Sequence, residues 1–266
     1  MLGRQLDLFS ATGLPAADGT AAHVEPSRLV PSNLDDSELV EVLPEARVVD
    51  CHALCAEAGR RRLIAAIPAL EALCRRFKGF GLEHAVPEQT AALRGLAAIS
   101  TREAAAAVSR IIAESVVQGP GLHDAVHAAV LLECRLPPAV SLPLLQHNDA
   151  RVRAAACRVA RPHADVMPVL VDLLDDLHGL VAVAAACALG RAGRIEAQPM
   201  LARLLHDEPT AEVIDAVSPL ADDDCIVQLG RIARTNPVLS AAAIDALDAM
   251  NNPRAQAIAA TVRSSA

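Results

Sequence analysis

The stretch Ala154-Ala155-Ala156-Cys157 returns thirty positions later as Ala184-Ala185-Ala186-Cys187, and Ile214-Asp215-Ala216-Val217 returns at the same spacing as Ile244-Asp245-Ala246-Leu247. A period near 30 with small apolar residues clustered once per period is the pattern of stacked two-helix repeats. The repetition is plainest between Val140 and Ala221. From there the all-α reading extends outward in both directions.

Composition agrees with it. More than half of the 266 residues are apolar, yet Trp and Tyr are absent and Phe9, Phe77 and Phe80 are the only aromatics. Such a core is built from Ala, Leu, Val and Ile, which suits closely packed helices and suits sandwiches or barrels poorly. Length sets no two-domain requirement, because a solenoid grows in one dimension. The formal net charge of -8 excludes a chain whose whole surface is a nucleic-acid footprint and leaves room only for a local basic patch. Seven cysteines is an odd number, and Cys157 and Cys187 sit in Ala-rich helical patterns where a thiol behaves as a small buried apolar group. With no secretory pattern at the start and no uncharged apolar run of the ~18 residues a membrane span needs, the expectation is a soluble protein of a reducing cytoplasm, with no membrane partner.

Residues 1–33 scatter Gly and Pro among Ala, Ser and Thr without helical period, so a disordered N-terminal tail is expected there. Order begins near Leu34, where Asp35 can cap a short helix that stops before Pro44. A second helix covers Val49 to Gly59 or runs onward, and a long one spans Arg60 to about Lys78, ended by Gly79 and Gly81; these form N-terminal capping helices over 34–86. Repeats follow over 87–266. Ala-rich inner helices are expected at about 88–99, 122–134, 149–160, 179–190, 210–221 and 238–250, with partner helices at about 101–116, 138–146, 165–175, 196–206, 223–234 and 253–263. Breakers such as Gly119-Pro120-Gly121, Pro137-Pro138, Gly193 and Asn252-Pro253 separate them. Small residues at Ala155, Ala156, Ala185, Ala186, Ala242 and Ala243 let helix axes approach to about 8 Å.

At one inner-helix start, Asn148-Asp149-Ala150-Arg151-Val152-Arg153-Ala154-Ala155 resembles the second-helix signature of HEAT-like repeats, including those of the bilin-lyase type. The resemblance covers roughly residues 87–257. It implies an α-solenoid of about five to six helix pairs, with Asp149 as the cap and Val152 and Ala155 facing inward. It carries no particular activity, because that fold hosts many unrelated roles.

The tail carries a more specific motif. Gln5-Leu6-Asp7-Leu8-Phe9 places three apolar residues in a segment with no core to join, and such residues in a flexible segment often mark a docking peptide that orders on binding. The pentapeptide resembles the bacterial sliding-clamp-binding motif, Gln-Leu, then Ser or Asp, then Leu-Phe, at all five positions. The resemblance implies that Gln5 makes polar contacts, that Leu8 and Phe9 fill an apolar clamp pocket, and that Leu6 packs between them. Burying three such side chains gives roughly 5 to 8 kcal/mol gross; after ordering and association costs, a roughly micromolar contact remains. A linker of about 25 residues to Leu34 reaches roughly 25 to 30 Å.

Other candidates are weaker. Arg60-Arg61-Arg62 and Arg75-Arg76-Phe77-Lys78 bracket the expected long helix, and these six cations offer phosphate contacts; the alternative is a solvated face whose Arg stems cover Leu63 and Leu70. Arg161 and Arg191 sit at equivalent repeat positions, but the next equivalent segment is Asp222-Asp223-Asp224. Without Trp or Tyr, base stacking is poorly supplied. His123-Asp124-Ala125-Val126-His127 resembles the zincin His-Glu-x-x-His element with Asp for Glu and no clear third ligand, and Asp50, Cys51, His52 and Cys55 lack a second cysteine pair. No metal site and no cofactor is expected from either. No nucleophile elbow, phosphate loop or dinucleotide fingerprint is present, and the acids Asp172, Asp175, Asp176, Asp207 and Glu208 fall at helix ends, where caps and solvated turns account for them.

The functional expectation is therefore a non-enzymatic scaffold that docks on the sliding clamp through Gln5 to Phe9 and offers its solenoid to a further protein or to DNA in replication or repair. Two alternatives stay open: a HEAT-like interaction module without clamp binding, and a lesion glycosylase- or lyase-like enzyme on the same scaffold. The enzyme would require a buried carboxylate facing a basic groove.

Overall fold

The computed structural model describes residues 30–265. Fifteen α-helices follow one another among the described residues: Asp36–Val42 (α1), Val48–Arg60 (α2), Ile67–Arg76 (α3), Pro87–Ile99 (α4), Arg102–Ala113 (α5), Leu122–Leu131 (α6), Pro138–Leu145 (α7), Ala150–Val159 (α8), Val166–Asp172 (α9), Gly179–Arg191 (α10), Gln198–Asp207 (α11), Ala211–Val217 (α12), Asp223–Thr235 (α13), Ser240–Ala249 (α14) and Pro253–Ser265 (α15). The Ala-rich helices stack in one layer, each touching the next from α2 through α4, α6, α8, α10 and α12 to α14. The other layer holds α3, α5, α7, α9, α11, α13 and α15. Six antiparallel pairs, α3 with α4 through α13 with α14, make up the solenoid, and α15 closes its last turn.

The starts of these helices are written in the sequence. Asp35 and Glu38 form a reciprocal capping box on α1, each side-chain oxygen accepting the other's backbone N–H at 2.8 Å. Thr101, Asp149, Thr210 and Asp222 cap α5, α8, α12 and α13 in the same sense. Val152 and Ala155 are buried, as the repeat pattern requires. The core is correspondingly aliphatic: Ala154, Ala156, Ala184, Ala185 and Ala186 are all at most 1% exposed, with Leu145, Leu170, Leu189 and Leu201 filling the space between layers.

One expected helix does not form. The segment Arg60 to Lys78 is interrupted: α2 ends at Arg60, Ile64–Ala66 makes a 3-10 turn, and α3 starts only at Ile67. Pro68 explains the restart, since it lacks an N–H and is tolerated only in a first helical turn. Arg62 explains the stop. It adopts φ 50° and donates its N–H to Gly59 O, while Leu63 N–H reaches Ala58 O. That is the Schellman geometry usually built on glycine. The same pairing ends α5 at Ser115, α6 at Glu133 and α10 at Gly193.

Where glycine is required, the reason is close approach. A Cβ on Gly190 of α10 would lie 2.4 Å from Ala216 O of α12, and one on Gly59 of α2 would lie 2.6 Å from the Ala98 Cβ of α4. The loops carry one further tie: Leu136, between α6 and α7, forms an isolated parallel bridge with Ala160, between α8 and α9, through Leu136 N–H to Val159 O at 2.8 Å and Arg161 N–H to Leu136 O at 3.0 Å. No helix among the described residues is long and apolar enough to cross a membrane.

Candidate interaction surface

Gln5, Leu6, Asp7, Leu8 and Phe9 lie outside the described residues. The first described turn, Pro31–Asn33, is held by Arg61 Nη2 donating to Pro31 O at 3.2 Å.

The six cations between Arg60 and Lys78 do not bracket one helix. They gather at the C-terminal ends of α2 and α3, where a positive charge is favoured by the helix dipole. Most are engaged within the chain. Arg60 and Arg61 both donate to Glu57 at 2.7 Å, and Arg61 adds Asp36 at 2.9 Å. Those hydrogen bonds, Arg60 first and Arg61 second, hold the Glu57 carboxyl down at about 2. Arg75 bridges Glu71 at 2.8 Å and Glu114 at 2.6 Å, fastening α3 to the end of α5. Arg76 donates to the carbonyls of Pro44 and Ala46 at 2.8 Å each and lies 4.7 Å over the Phe77 ring. Among the described residues, Arg62 makes no ion pair, and Lys78 acts on Glu114 through its charge alone, adding to the hydrogen bond from Arg75 that lowers that carboxyl.

The exposed face of the inner layer carries a shallow groove. Two hollows adjoin there, about 510 Å³ between α2 and α4 and about 540 Å³ between α4 and α6, sharing Arg94 and Ala98. Close packing of Gly59 on Ala98 and of Gly95 on the Cys55 carbonyl keeps the floor low. Arg60, Arg62 and Arg94 stand along the first hollow; Arg94, Asp124 and His127 border the second. Asp124 accepts from Thr90 Oγ1 at 2.9 Å and its side chain is 33% exposed, so it differs from the buried carboxylate that an enzyme reading calls for. The sequence marked Gly59 only as a helix end and did not mark Gly95, because a single glycine in a helical run says nothing of what crosses it.

The histidine and cysteine candidates each stay on one helix, α6 and α2. His123 and His127 stack with ring centroids 6.0 Å apart and planes 8° from parallel, and no group of three or more His, Cys, Asp or Glu that can hold a metal occurs among the described residues. Asp50 is buried and receives Arg47 at 3.0 Å, while His52 is exposed. All seven thiols are free and buried. Burial pushes the Cys74 and Cys157 thiols up to about 12 and Cys187 up to about 11, so they stay protonated at neutral pH.

Of the helix-end acids, Asp176 does more than cap. Both its oxygens accept from Arg153 of α8, at 2.9 Å each, across the gap between successive pairs, with Arg153 and Asp176 side chains 14% and 8% exposed. Arg153 also donates to His147 O and Asn148 O.

Residues 139–221, which run from α7 to just past α12, match a family model described as HEAT repeats. No curated protein matches the chain. Over those residues the solenoid thus resembles HEAT repeats, and its stack of helix pairs is an architecture suited to protein interaction.

Proposed function

We propose that this chain is a non-enzymatic scaffold that docks on the bacterial DNA sliding clamp through Gln5 to Phe9 and uses its HEAT-like solenoid to hold a further protein or DNA at sites of replication or repair. One observation carries the reading: all five positions of Gln5-Leu6-Asp7-Leu8-Phe9 follow the clamp-binding pattern, in a segment that precedes the first helix of the solenoid. An apolar-aromatic pair with a glutamine upstream matches what a pocket-and-groove peptide site recognises.

The solenoid supports the scaffold half of the proposal. It has a continuous inner layer, an open groove across α2, α4 and α6, and buried protonated thiols that offer no ready nucleophile. The test is deletion of residues 1–10, with the expected result that co-elution with purified sliding clamp in size-exclusion chromatography is abolished and the far-UV circular dichroism spectrum is unchanged. Co-elution that survives the deletion removes the clamp from the account.

A further inference from the structure

The loops that end the inner helices bring together three arginines that are far apart in the chain. Arg135 follows α6, Arg161 follows α8, and Arg191 ends α10; all three line one hollow of about 490 Å³ whose apolar floor includes Ala160, Met167 and Leu170. Among the described residues no carboxylate lines it.

The positions are built, not incidental. The Leu136–Ala160 bridge ties the Arg135 and Arg161 loops to each other by two backbone hydrogen bonds, and Arg135 Nη1 donates to Arg158 O at 3.3 Å. Arg158 in turn takes Glu212 in a two-point contact at 2.9 and 3.0 Å, so Glu212 meets Arg191 only at 3.7 Å, with Asp215 at 3.9 Å. Among the described residues Arg161 has no carboxylate partner, and it is exposed. Arg135 and Arg161 therefore present positive charge above an apolar floor, beside an Arg191 that Glu212 and Asp215 offset only at long range, in a chain whose net charge is -8.

We propose that this hollow is a docking site for an acidic segment of a partner protein, in which an apolar side chain enters the floor and a neighbouring Asp or Glu carboxylate is held by Arg135 and Arg161. Guanidinium groups pair with carboxylates through two parallel N–H···O bonds, which gives direction as well as attraction. A phosphodiester strand satisfies the charge but offers nothing to the Met167 and Leu170 floor, and the hollow has no aromatic ring on which a base stacks. The volume suits a few residues of extended chain and leaves the rest of the partner on the loop edge. This rests on the scaffold reading and is independent of the clamp-binding tail, so a chain with Leu8→Ala and Phe9→Ala retains it.

The test is selection of random displayed peptides on the full-length chain, followed by titration of the enriched synthetic peptide against the Arg135→Ala/Arg161→Ala variant, with a short DNA duplex titrated in parallel. Both arginines are exposed, and an unchanged circular dichroism spectrum verifies the fold of the variant. The expected result is enrichment of sequences with an acid beside an aliphatic residue, and affinity that falls about tenfold or more in the variant. An Arg161→Lys chain keeps part of that affinity, as charge without the two-point geometry. Enrichment of peptides without acids, affinity indifferent to the two substitutions, or arginine-dependent binding of the duplex with no peptide enriched each overturns the proposal.

Discussion

Replacing Arg153 by Met removes four hydrogen bonds at once and leaves a carboxylate behind. Arg153 gives two bonds to Asp176 at 2.9 Å, one to His147 O at 2.8 Å and one to Asn148 O at 3.1 Å, and its side chain is largely buried. Methionine keeps most of the stem, so the loss is electrostatic. Removing one partner of a buried pair costs about 3 to 5 kcal/mol. Because both side chains keep a little water contact, the lower end applies, about 3 kcal/mol. Asp176→Asn in the same background removes the stranded charge and recovers about 1 kcal/mol or more. The Asp176 carboxyl is held below its ordinary range, first by the hydrogen bonds from Arg153. A depressed carboxylate stabilises the fold above the unfolded value of about 4 and loses that contribution as pH falls below it. The gap between the parent and Arg153→Met therefore narrows from about pH 5 downward. Urea unfolding followed by far-UV circular dichroism reads both effects, since the chain has no Trp or Tyr to serve as a fluorescent probe. A loss under about 1 kcal/mol at neutral pH, or a gap that stays constant into acid, refutes the reasoning.

Three further outcomes follow from the packing. Gly190→Ala drives a Cβ against the Ala216 carbonyl and destabilises by about 1 to 3 kcal/mol despite the better helix propensity of alanine, read as a lower urea midpoint. Glu133→Gly relieves the left-handed φ of 51° at the end of α6 and stabilises by about 0.5 to 1 kcal/mol in the same assay. A disulfide-exchange reagent titrates seven thiols in denaturant but reacts with them only slowly in the native chain, as their burial requires.

Much of the fold was legible because the Ala clusters and the breakers between them each have a single physical meaning. Ala154-Ala155-Ala156 admits close helix contact and little else, and Asp149 or Thr210 before a helical run is a cap. The Arg60 to Lys78 helix was misread for the converse reason. Arg62 occupies a position where glycine is the usual marker, so the sequence shows no stop, and Pro68 was the only sign that a new helix begins. The arginine hollow was half visible: Arg161 and Arg191 keep the repeat spacing, whereas Arg135 sits in a loop out of register and joins them through the Leu136–Ala160 bridge and its bond to Arg158 O. That Arg61, Arg75 and Arg76 tie their helices to other segments is likewise a tertiary fact, since Asp36, Glu114 and the Pro44 and Ala46 carbonyls are remote from them in sequence. The Gln5 to Phe9 reading rests on the residues themselves.

The most direct measurement is a titration of the full-length protein against purified bacterial sliding clamp, beside a variant carrying Leu8→Ala and Phe9→Ala. The account predicts saturable, roughly micromolar binding by the parent and none by the variant. Equal binding by both, or none by either, contradicts it.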